Sequence, residues 1–229
     1  YLLFEDWVPL SQLRKHQNSV LQIIMNDKTF TNITIMLPAG RLPVDILKKV
    51  GDLAERYALA VYLSNLQNLR LINVPAHAEQ EIKEELVPYG VRFKGPGQFP
   101  IPRICIGKPH CSLGIINTEE LSQTILNRFA KREQTKAKLK IAIAGCSLCC
   151  SDSKTSDIGI IAGRNGFEMY AGGKGGSTPR TGKRIRRNIG EEELLETIDR
   201  LVEFHDGKTD KKQRMNKLLK DHEFPYLES

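Results

Sequence analysis

What the sequence lacks excludes several classes of protein. Its 229 residues contain no run of about eighteen apolar residues and no basic segment followed by an apolar one, so we expect neither a membrane span nor an export signal. The chain also has no Ser-His-Asp order, no HExxH motif, no paired-carboxylate pattern and no glycine fingerprint for nicotinamide or flavin nucleotides. Its motifs therefore favour neither hydrolysis nor nucleotide-dependent hydride transfer.

Cysteine is scarce, and its placement is uneven. The chain has 5 cysteines, all between positions 105 and 150. An odd number in two short loops argues against a disulfide framework and for a reducing compartment, so we expect a cytoplasmic protein. The net charge of +7 suits an acidic ligand, but no stretch interleaves aromatic side chains with Arg and Lys. We therefore expect no nucleic-acid partner.

The cysteines fall into two close pairs. Cys105 and Cys111 lie in CIGKPHC, Cys146 and Cys150 lie in CSLCC, and Cys149 is a spare. Four thiolates on two loops can enclose one soft metal centre. The C-x5-C and C-x3-C spacings fit zinc knuckles poorly and suit a wider [4Fe-4S] cube. On spacing alone, buried free cysteines and a basic, zinc-dependent nucleic-acid module remain as alternatives.

The first half of the chain alternates between strand and helix patterns. Strands are predicted in FTNITIMLP, ALAVYLS, LRLINV and VRF, and helices begin near Pro43 and Pro75. This order is the split βαβ, ferredoxin-like arrangement. The apolar faces predicted for the two helices are Val44, Leu47, Val50, Ala54 and Tyr57 in the first and Ala78, Ile82 and Leu86 in the second.

Composition divides the chain into four parts of an α+β protein. We expect an N-terminal arm over 1–29, a ferredoxin-like half domain over 30–96, a cofactor domain over 97–206 and a charged tail over 207–229 that forms a surface helix. The cofactor domain is predicted to contain a helix capped by Thr118, strands in AKLKIAIAG, DIGIIA and FEMYAG, and a helix over 191–205.

Four motifs in the cofactor domain resemble those of the sirohaem-containing sulfite and nitrite reductases. They are ICIGKPHCSLG at 104–114, KLKIAIAGCSLCC at 138–150, DIGIIAG at 157–163 and YAGGKGGSTPRTGK at 170–183. The resemblance implies reduction of sulfite to sulfide by a six-electron route, with nitrite to ammonia as the alternative substrate and an external ferredoxin or flavoprotein as electron donor. It also implies that a [4Fe-4S] cluster is held by Cys105, Cys111, Cys146 and Cys150, and that Cys150 bridges to the sirohaem iron.

Two basic segments are candidates for binding anions. Lysines at 136, 138 and 140 alternate along a predicted strand, where they would share one face; a lysine-guarded edge strand is the structural alternative. The resemblance implies that Lys138 and Lys140 hold the oxyanion and supply protons. The glycine-rich loop over 172–184 offers backbone N–H groups and cations, or it is simply a mobile basic loop. By resemblance, it grips the sirohaem carboxylates through residues that include Gly173, Lys174 and Arg180.

The sequence departs from the family pattern in two ways. The family carries a Thr-x-Arg-Gln segment whose arginine faces the substrate, whereas this chain has Ser64-Asn65-Leu66-Gln67, with Arg70 as a nearby substitute. The larger enzymes also contain two copies of the domain pair, and this chain has one. Either two chains combine as a homodimer, or the site is more open and simpler. A non-catalytic electron-transfer or accessory subunit is therefore the alternative function.

Overall fold

The computed structural model describes residues 29–132, 134–209 and 213–226. This part of the chain forms two β-sheets, each with its own hydrophobic core, and the predicted α+β class is confirmed. Of the predicted N-terminal arm, all but Thr29 lies outside the described residues. None of the described helices is long and apolar enough to cross a bilayer.

The first sheet belongs to the half domain and has the predicted ferredoxin-like order. Its four strands pair antiparallel in the order β2-β3-β1-β4, with one helix after β1 and another after β3. This is the split βαβ topology. The elements are β1 (Phe30–Met36), α1 (Val44–Tyr57), β2 (Ala60–Leu63), β3 (Leu69–Pro75), α2 (Glu79–Leu86) and β4 (Arg92–Phe93).

The core face predicted for helix α1 is confirmed only in part, since Val50 is buried and Ala54 and Tyr57 pack against the core. Val44 and Leu47 are 66% and 52% exposed, whereas Ile46, Val50 and Leu53 are buried. Apolar residues occur at two overlapping helical spacings in this segment, and packing against the sheet selects the second of them. In contrast, the face predicted for the second helix is confirmed, because Ala78, Ile82 and Leu86 are all buried.

The second sheet has five strands in simple sequential order. Strands β5, β6 and β7 are parallel, whereas β8 and β9 join antiparallel. Neither β5 nor β9 was predicted. The elements are β5 (Arg103–Ile104), α3 (Thr118–Arg128), β6 (Ile141–Ala144), β7 (Ile158–Gly163), β8 (Gly166–Ala171), β9 (Lys183–Ile189) and α4 (Glu191–Lys208).

Both faces of the second sheet are covered. Ile141 and Ile143 of β6 belong to the core that includes residues of α3 and α4, whereas Ala142 and Ala144 face the other way and are fully buried. The segment over 145–157, here called the cysteine crossover, connects β6 to β7. It lies so close to the sheet that a Cβ atom on Gly159 would be 2.0 Å from the carbonyl oxygen of Ser153. Close approach of this segment therefore requires small residues on that face.

The strand predicted over AKLKIAIAG is wrong in its first half. Strand β6 begins at Ile141, and Lys136, Lys138 and Lys140 precede it in a turn where Lys138 has φ of 77°. The lysines therefore do not share one strand face. The predicted cap of α3 is also wrong, because the Asn117 side chain, not that of Thr118, accepts the N–H groups of the first turn.

The C-terminal tail is not a surface helix in the described residues. It contains a short 3-10 turn at Met215–Lys217, and Met215, Leu218, Phe224 and Tyr226 are buried. These side chains join the core of the second sheet. The tail is strongly charged, but its apolar residues are spaced irregularly, so the helical pattern missed their burial.

Candidate functional site

The two cysteine loops meet where adjacent strands of the second sheet end. Cys105 directly follows β5 and Cys146 follows β6, and the carboxyl ends of these adjacent parallel strands lie side by side. The Cys105 N–H donates to the Ile143 carbonyl at 3.2 Å, and the Ile115 N–H donates to the Gly145 carbonyl at 2.8 Å. We call residues 105–111 and 146–150 the cysteine edge.

Backbone and side-chain donors surround Cys105. The Gly145 N–H donates to Cys105 Sγ at 3.1 Å, and Thr118 Oγ1 donates to the Cys105 carbonyl at 2.7 Å. Gly107 has φ of 57°, and a Cβ atom there would lie 2.6 Å from Thr118 Oγ1. Glycine is therefore needed at 107 both for its backbone conformation and for its lack of a side chain. Thr118, misassigned as a helix cap, instead supports the first cysteine loop.

The thiols of the cysteine edge suit a soft metal centre. All five cysteines are free, and Cys150 is the exposed one. An N–H group donating to a cysteine sulfur is a typical feature around iron-sulfur centres. Within the ranges described, no three Cys, His, Asp or Glu side chains form a group that could hold a metal ion. The donor chemistry, free thiols on two loops with an N–H group donating to one sulfur, fits an iron-sulfur centre.

Cys149 differs from the other cysteines in its surroundings. It packs against the small cluster of Ala144, Ile161 and Tyr170 on the crossover face of the sheet. Its Sγ accepts the Lys154 N–H at 3.5 Å, and its φ is 58°. The structure thus gives Cys149 contacts within the cysteine crossover, consistent with a residue outside the four-cysteine set.

The predicted anion-binding residues lie at the opposite ends of the strands of the same sheet. The Lys140 N–H donates to Asp157 Oδ2 at 3.0 Å, and Asp157 Oδ1 accepts from Arg214 Nε at 2.8 Å and from the Met215 N–H at 3.0 Å. Arg214 also donates to the Gly173 carbonyl at 3.2 Å. Asp157 therefore joins the lysine turn, the glycine-rich loop and the C-terminal tail. We call this set the basic edge: Lys138, Lys140, Gly173, Lys174, Arg180 and Arg214.

Electrostatics at the basic edge favour release of a proton by Lys140. Burial, together with repulsion from Arg214, Arg103 and Lys138, lowers the pKa of Lys140, and the attraction of Asp157 only partly opposes this. The pKa of Asp157 is raised by its burial even though Arg214 pulls it down. A side-chain ammonium that gives up its proton more readily than an ordinary lysine is suited to acid-base work.

The glycine-rich loop is a closed hairpin packed against the cysteine crossover. Lys174 and Arg180 exchange two backbone hydrogen bonds, of 2.9 and 2.7 Å, and the Gly182 N–H donates to the Lys154 carbonyl at 2.8 Å. A Cβ atom on Gly173 would lie 2.4 Å from that same carbonyl. The crossover therefore contacts this loop through Lys154 and contains three of the cysteines.

The predicted site residues thus form two groups rather than one. The cysteine edge and the basic edge are separated by the four residues of β6, or about 13 Å of strand. The structure brings the cysteine loops together and connects Lys140 to the glycine-rich loop through Asp157 and Arg214, while the backbone of the lysines precedes β6 and Cys146 follows it. Asp157 and Arg214, which hold the basic edge together, were missed because they are 57 residues apart and no local pattern connects them.

The segment that departs from the family pattern lies in the hairpin between β2 and β3. Leu66 is 44% exposed there. Arg70, the suggested substitute, lies within β3, between the buried Leu69 and Leu71. Its Nε is buried and has no hydrogen-bond partner in the described part of the chain. Because Leu69 and Leu71 point into the core, Arg70 belongs to the opposite face of the half-domain sheet.

Comparison with protein families matches both halves of the chain. The model of the nitrite and sulphite reductase 4Fe-4S domain matches residues 101–225, which is more than half of the chain. The chain belongs to the nitrite and sulphite reductase family. The nitrite/sulfite reductase ferredoxin-like half domain matches residues 23–89. The predicted family is therefore confirmed, and membership supports the predicted cofactors, a [4Fe-4S] cluster and sirohaem.

Curated relatives are nitrite and sulfite reductases of very different lengths. The large subunit of the NADH nitrite reductase of Escherichia coli is 27% identical over 216 residues, which cover 93% of this chain and 25% of that subunit. The assimilatory-type sulfite reductase of Nitratidesulfovibrio vulgaris is 25% identical over 199 residues, which cover 86% of this chain and 90% of that protein. The chain therefore spans a quarter of the first relative and nearly all of the second.

Solved structures of the family share the fold. The NirA protein of Mycobacterium tuberculosis superposes with a TM-score of 0.68 at 21% identity, over 83% of this chain and 38% of that one. Dissimilatory sulfite reductase I superposes with a TM-score of 0.69 at 12% identity, over 84% of this chain and 67% of that one. At these identities, the likeness concerns the fold alone.

Proposed function

We propose that this chain reduces sulfite to sulfide at a sirohaem coupled to a [4Fe-4S] cluster, with nitrite to ammonia as the alternative substrate. The cysteine edge carries the proposal, because two loops of free thiols meet at adjacent strand ends within the family's 4Fe-4S domain. Relatives of both kinds support the pair of substrates, since the chain is 25% identical to the Nitratidesulfovibrio vulgaris sulfite reductase and 27% identical to the Escherichia coli nitrite reductase subunit.

The cysteines and the glycine-rich loop have distinct proposed roles. Cys105, Cys111, Cys146 and Cys150 would hold the cluster, and Cys150 would also hold the sirohaem. Together, these two cofactors supply electrons to the bound oxyanion. Gly173, with its closely packed backbone, and the cations Lys174 and Arg180 bind the sirohaem carboxylates.

Lys138 and Lys140 hold the oxyanion and donate the protons that leave with its oxygen atoms as water. The lowered pKa of Lys140, caused first by burial, suits a proton donor. Since β6 separates these lysines from the cysteines of the same chain, we propose that two copies combine and that the lysines of one act beside the cysteines of the other.

Mixed assembly tests the homodimer. Cys146→Ser and Lys140→Ala chains are each expected to be inactive alone. A coexpressed mixture should regain turnover, because one of its two sites then combines an intact cysteine set with an intact lysine. A mixture of Cys146→Ser chains carrying two different affinity tags controls for the effect of coexpression itself. If the mixture of the two variants stays inactive although it copurifies as a heterodimer, the lysines do not act across copies.

Cofactor content and turnover test the reductase itself. Protein purified anaerobically from a host that makes sirohaem should contain iron and acid-labile sulfide, show a tetrapyrrole absorption band and reduce sulfite with a reduced dye. Cys146→Ser should lose the cluster, whereas Cys149→Ser should keep it. Colourless wild-type protein from such a host would refute the proposal.

An accessory or electron-transfer subunit is the second candidate, favoured by Leu66. An exposed leucine stands where the family carries an arginine that faces the substrate, and leucine offers an oxyanion no charge. In this case, the wild type should carry both cofactors without sulfite or nitrite turnover, even after Leu66→Arg. If the wild type is active and Leu66→Arg lowers its KM for sulfite or nitrite, the reductase hypothesis is supported instead. An external ferredoxin or flavoprotein as donor and a cytoplasmic location remain predictions in either case.

A further inference from the structure

A glutamine of the half domain reaches across to the strand that leads into the first cysteine loop. Gln67 Nε2 donates to the Ile104 carbonyl at 2.8 Å, and Gln67 Oε1 accepts the Ile104 N–H at 2.9 Å. The backbone N–H and the carbonyl of Ile104 thus both bond to the same side-chain amide. This is the pattern that a neighbouring antiparallel strand would make.

Gln67 occupies the free edge of the second sheet. Strand β5 has only 2 residues and is the edge strand of its sheet. Its inner side pairs with β6, and the Cys105 N–H continues that pairing to Ile143. Since Gln67 pairs with the outer side at Ile104, the residue before Cys105 is fixed from two directions. A two-residue edge strand without this second partner would open readily.

The backbone of Gln67 is held in a conformation that glutamine rarely adopts. Its φ is 60°, in the left-handed region that favours glycine and asparagine. The hairpin enforces this conformation, because the Gln67 N–H donates to the Ser64 carbonyl at 2.9 Å and the Asn68 N–H donates to Ser64 Oγ at 3.1 Å. A strained conformation persists only where the surroundings determine it, and here it directs the side-chain amide at Ile104.

The other polar tie between the two domains near this point is weaker. Arg41 and Glu119 form an ion pair at 3.0 Å, but both side chains are about half exposed, so the pair contributes little. Gln67 also lines, with Cys105, a cavity of about 320 Å³ whose walls come from both domains. The side chain therefore stands between the half domain and the cysteine edge.

We propose that Gln67 is a positioning residue for Cys105 and that, through Ile104, it couples the half domain to the cofactor. The ligand role of Cys105 rests on the function proposed above. The side-chain amide of Gln67 bonds to Ile104 rather than to the Cys105 thiol, so its action on Cys105 is indirect. It sets where the first cysteine loop leaves the sheet, and so how firmly Cys105 is presented to the cluster.

Amide hydrogen exchange tests the contact directly. Gln67→Gly removes both hydrogen bonds, and glycine accepts the positive φ without strain. Exchange of the Ile104 amide, resolved by mass spectrometry with fragmentation, should become about tenfold faster, since one hydrogen bond is lost. Exchange of the Cys105 amide should also become faster, because its bond to Ile143 belongs to β5, which opens more readily without its outer partner. Asn68→Ala is the matched control: Asn68 lies in the same hairpin but bonds to Leu37 of its own domain.

The state of the cluster tests the positioning role. In anaerobically purified holoprotein, Gln67→Gly should release iron to a chelator severalfold faster than wild type and shift the midpoint potential and the electron paramagnetic resonance spectrum of the reduced cluster. Gln67→Glu keeps the acceptor and loses the donor, so it should protect the Ile104 amide and fall between wild type and Gln67→Gly. Asn68→Ala should match wild type in all three cluster measurements.

The outcomes separate this inference from the proposed function. Faster Ile104 exchange with an altered cluster supports positioning. Faster exchange with an unchanged release rate, potential and spectrum overturns it and leaves a purely structural contact. Unchanged exchange overturns the contact itself. If wild-type protein binds no cluster at all, the proposed function fails, whatever the exchange shows.

Discussion

The two sheets of this protein bury their residues in different ways. In the half domain, strand β2 is exposed along its whole length, and the sheet packs its large side chains against α1 and α2. In the second sheet, β6 is buried at every position, with helices on one face and the cysteine crossover on the other. We expect substitutions to be well tolerated in a sheet that has an exposed edge strand and an exposed face. They should be tolerated less well in the second sheet, because closely packed backbone covers it. The same packing fixes the positions of the cysteines.

The ion pairs of the two domains also differ in how deeply they are buried. In the half domain, Lys83 pairs with Glu79 one turn away on the surface of α2, and Lys49 and Arg56 of α1 pair with Glu85 of α2. In the second sheet, by contrast, the carboxylate of Asp157 is fully buried and satisfies Arg214 together with two backbone N–H groups. Removing a carboxylate should therefore reduce the free energy of unfolding more in the second domain than in the half domain.

The largest effect is expected at Asp157. Asp157→Ala leaves the Arg214 side chain, itself largely buried, without its partner and leaves the N–H groups of Lys140 and Met215 unsatisfied. We expect a loss of about 3–5 kcal/mol in the free energy of unfolding, measured by urea denaturation. Glu79→Ala, the matched change in the half domain, should cost only about 0.3–0.5 kcal/mol. Equal losses would mean that the two domains do not differ in this way.

The next largest effect on stability is expected at Gly159, and its cause is steric. A Cβ atom on Gly159 would lie 2.0 Å from the Ser153 carbonyl, and no side-chain rotation relieves a clash with backbone. Gly159→Ala should therefore destabilise the protein by about 3 kcal/mol and lower its iron content, because the cysteine crossover must move. Gly175→Ala is the control, since nothing lies within 4 Å of a Cβ atom there. Retained iron in Gly159→Ala would show that the crossover can lift from the sheet without losing its ligands.

The same contrast explains how far the sequence predicted the fold. Alternation in β1 and the spacing of Ala78, Ile82 and Leu86 predicted these elements of the half domain, because one buried face gives one clear period, whereas the two overlapping spacings of α1 left its face ambiguous. Strand β9 was missed because KRIRRNI is mostly charged and its pairing with β8 is interrupted by register shifts. Strand β5 was missed because two residues carry no period.

Prediction of the site was limited in a similar way. The cysteines could be found because ligand chemistry restricts residue type and spacing together. The ties between distant segments could not, since the carboxylate of Asp157 meets Arg214 only after the tail folds back. Gln67 did carry a signal, since it occupies the glutamine position of the family's Thr-x-Arg-Gln segment, but no local pattern relates it to Ile104, which is 37 residues away.

A smaller effect is expected in the pH profile of sulfite turnover, where the ionisation of Lys140 should be visible. Burial and Arg214 lower the pKa of Lys140, so an activity that needs its ammonium should fall as pH rises, at a lower pH than for an ordinary lysine. Lys140→Arg stays charged at higher pH but is a much weaker acid, so it should move this alkaline limb upward while lowering turnover at neutral pH. Sulfite turnover measured across the pH range checks this. An unmoved limb would show that another group carries the titration.

The smallest effect should have the opposite sign to that of Gly159. Gly51 lies within α1, on its exposed surface, and a Cβ atom there would meet nothing within 4 Å. Gly51→Ala should therefore stabilise the protein by about 0.5–1 kcal/mol, because alanine loses less backbone entropy than glycine in a helix. Iron content and turnover should stay at wild-type levels. If Gly51→Ala destabilises the protein instead, this surface of α1 is covered in the native assembly, and the half domain is less open than its sheet suggests.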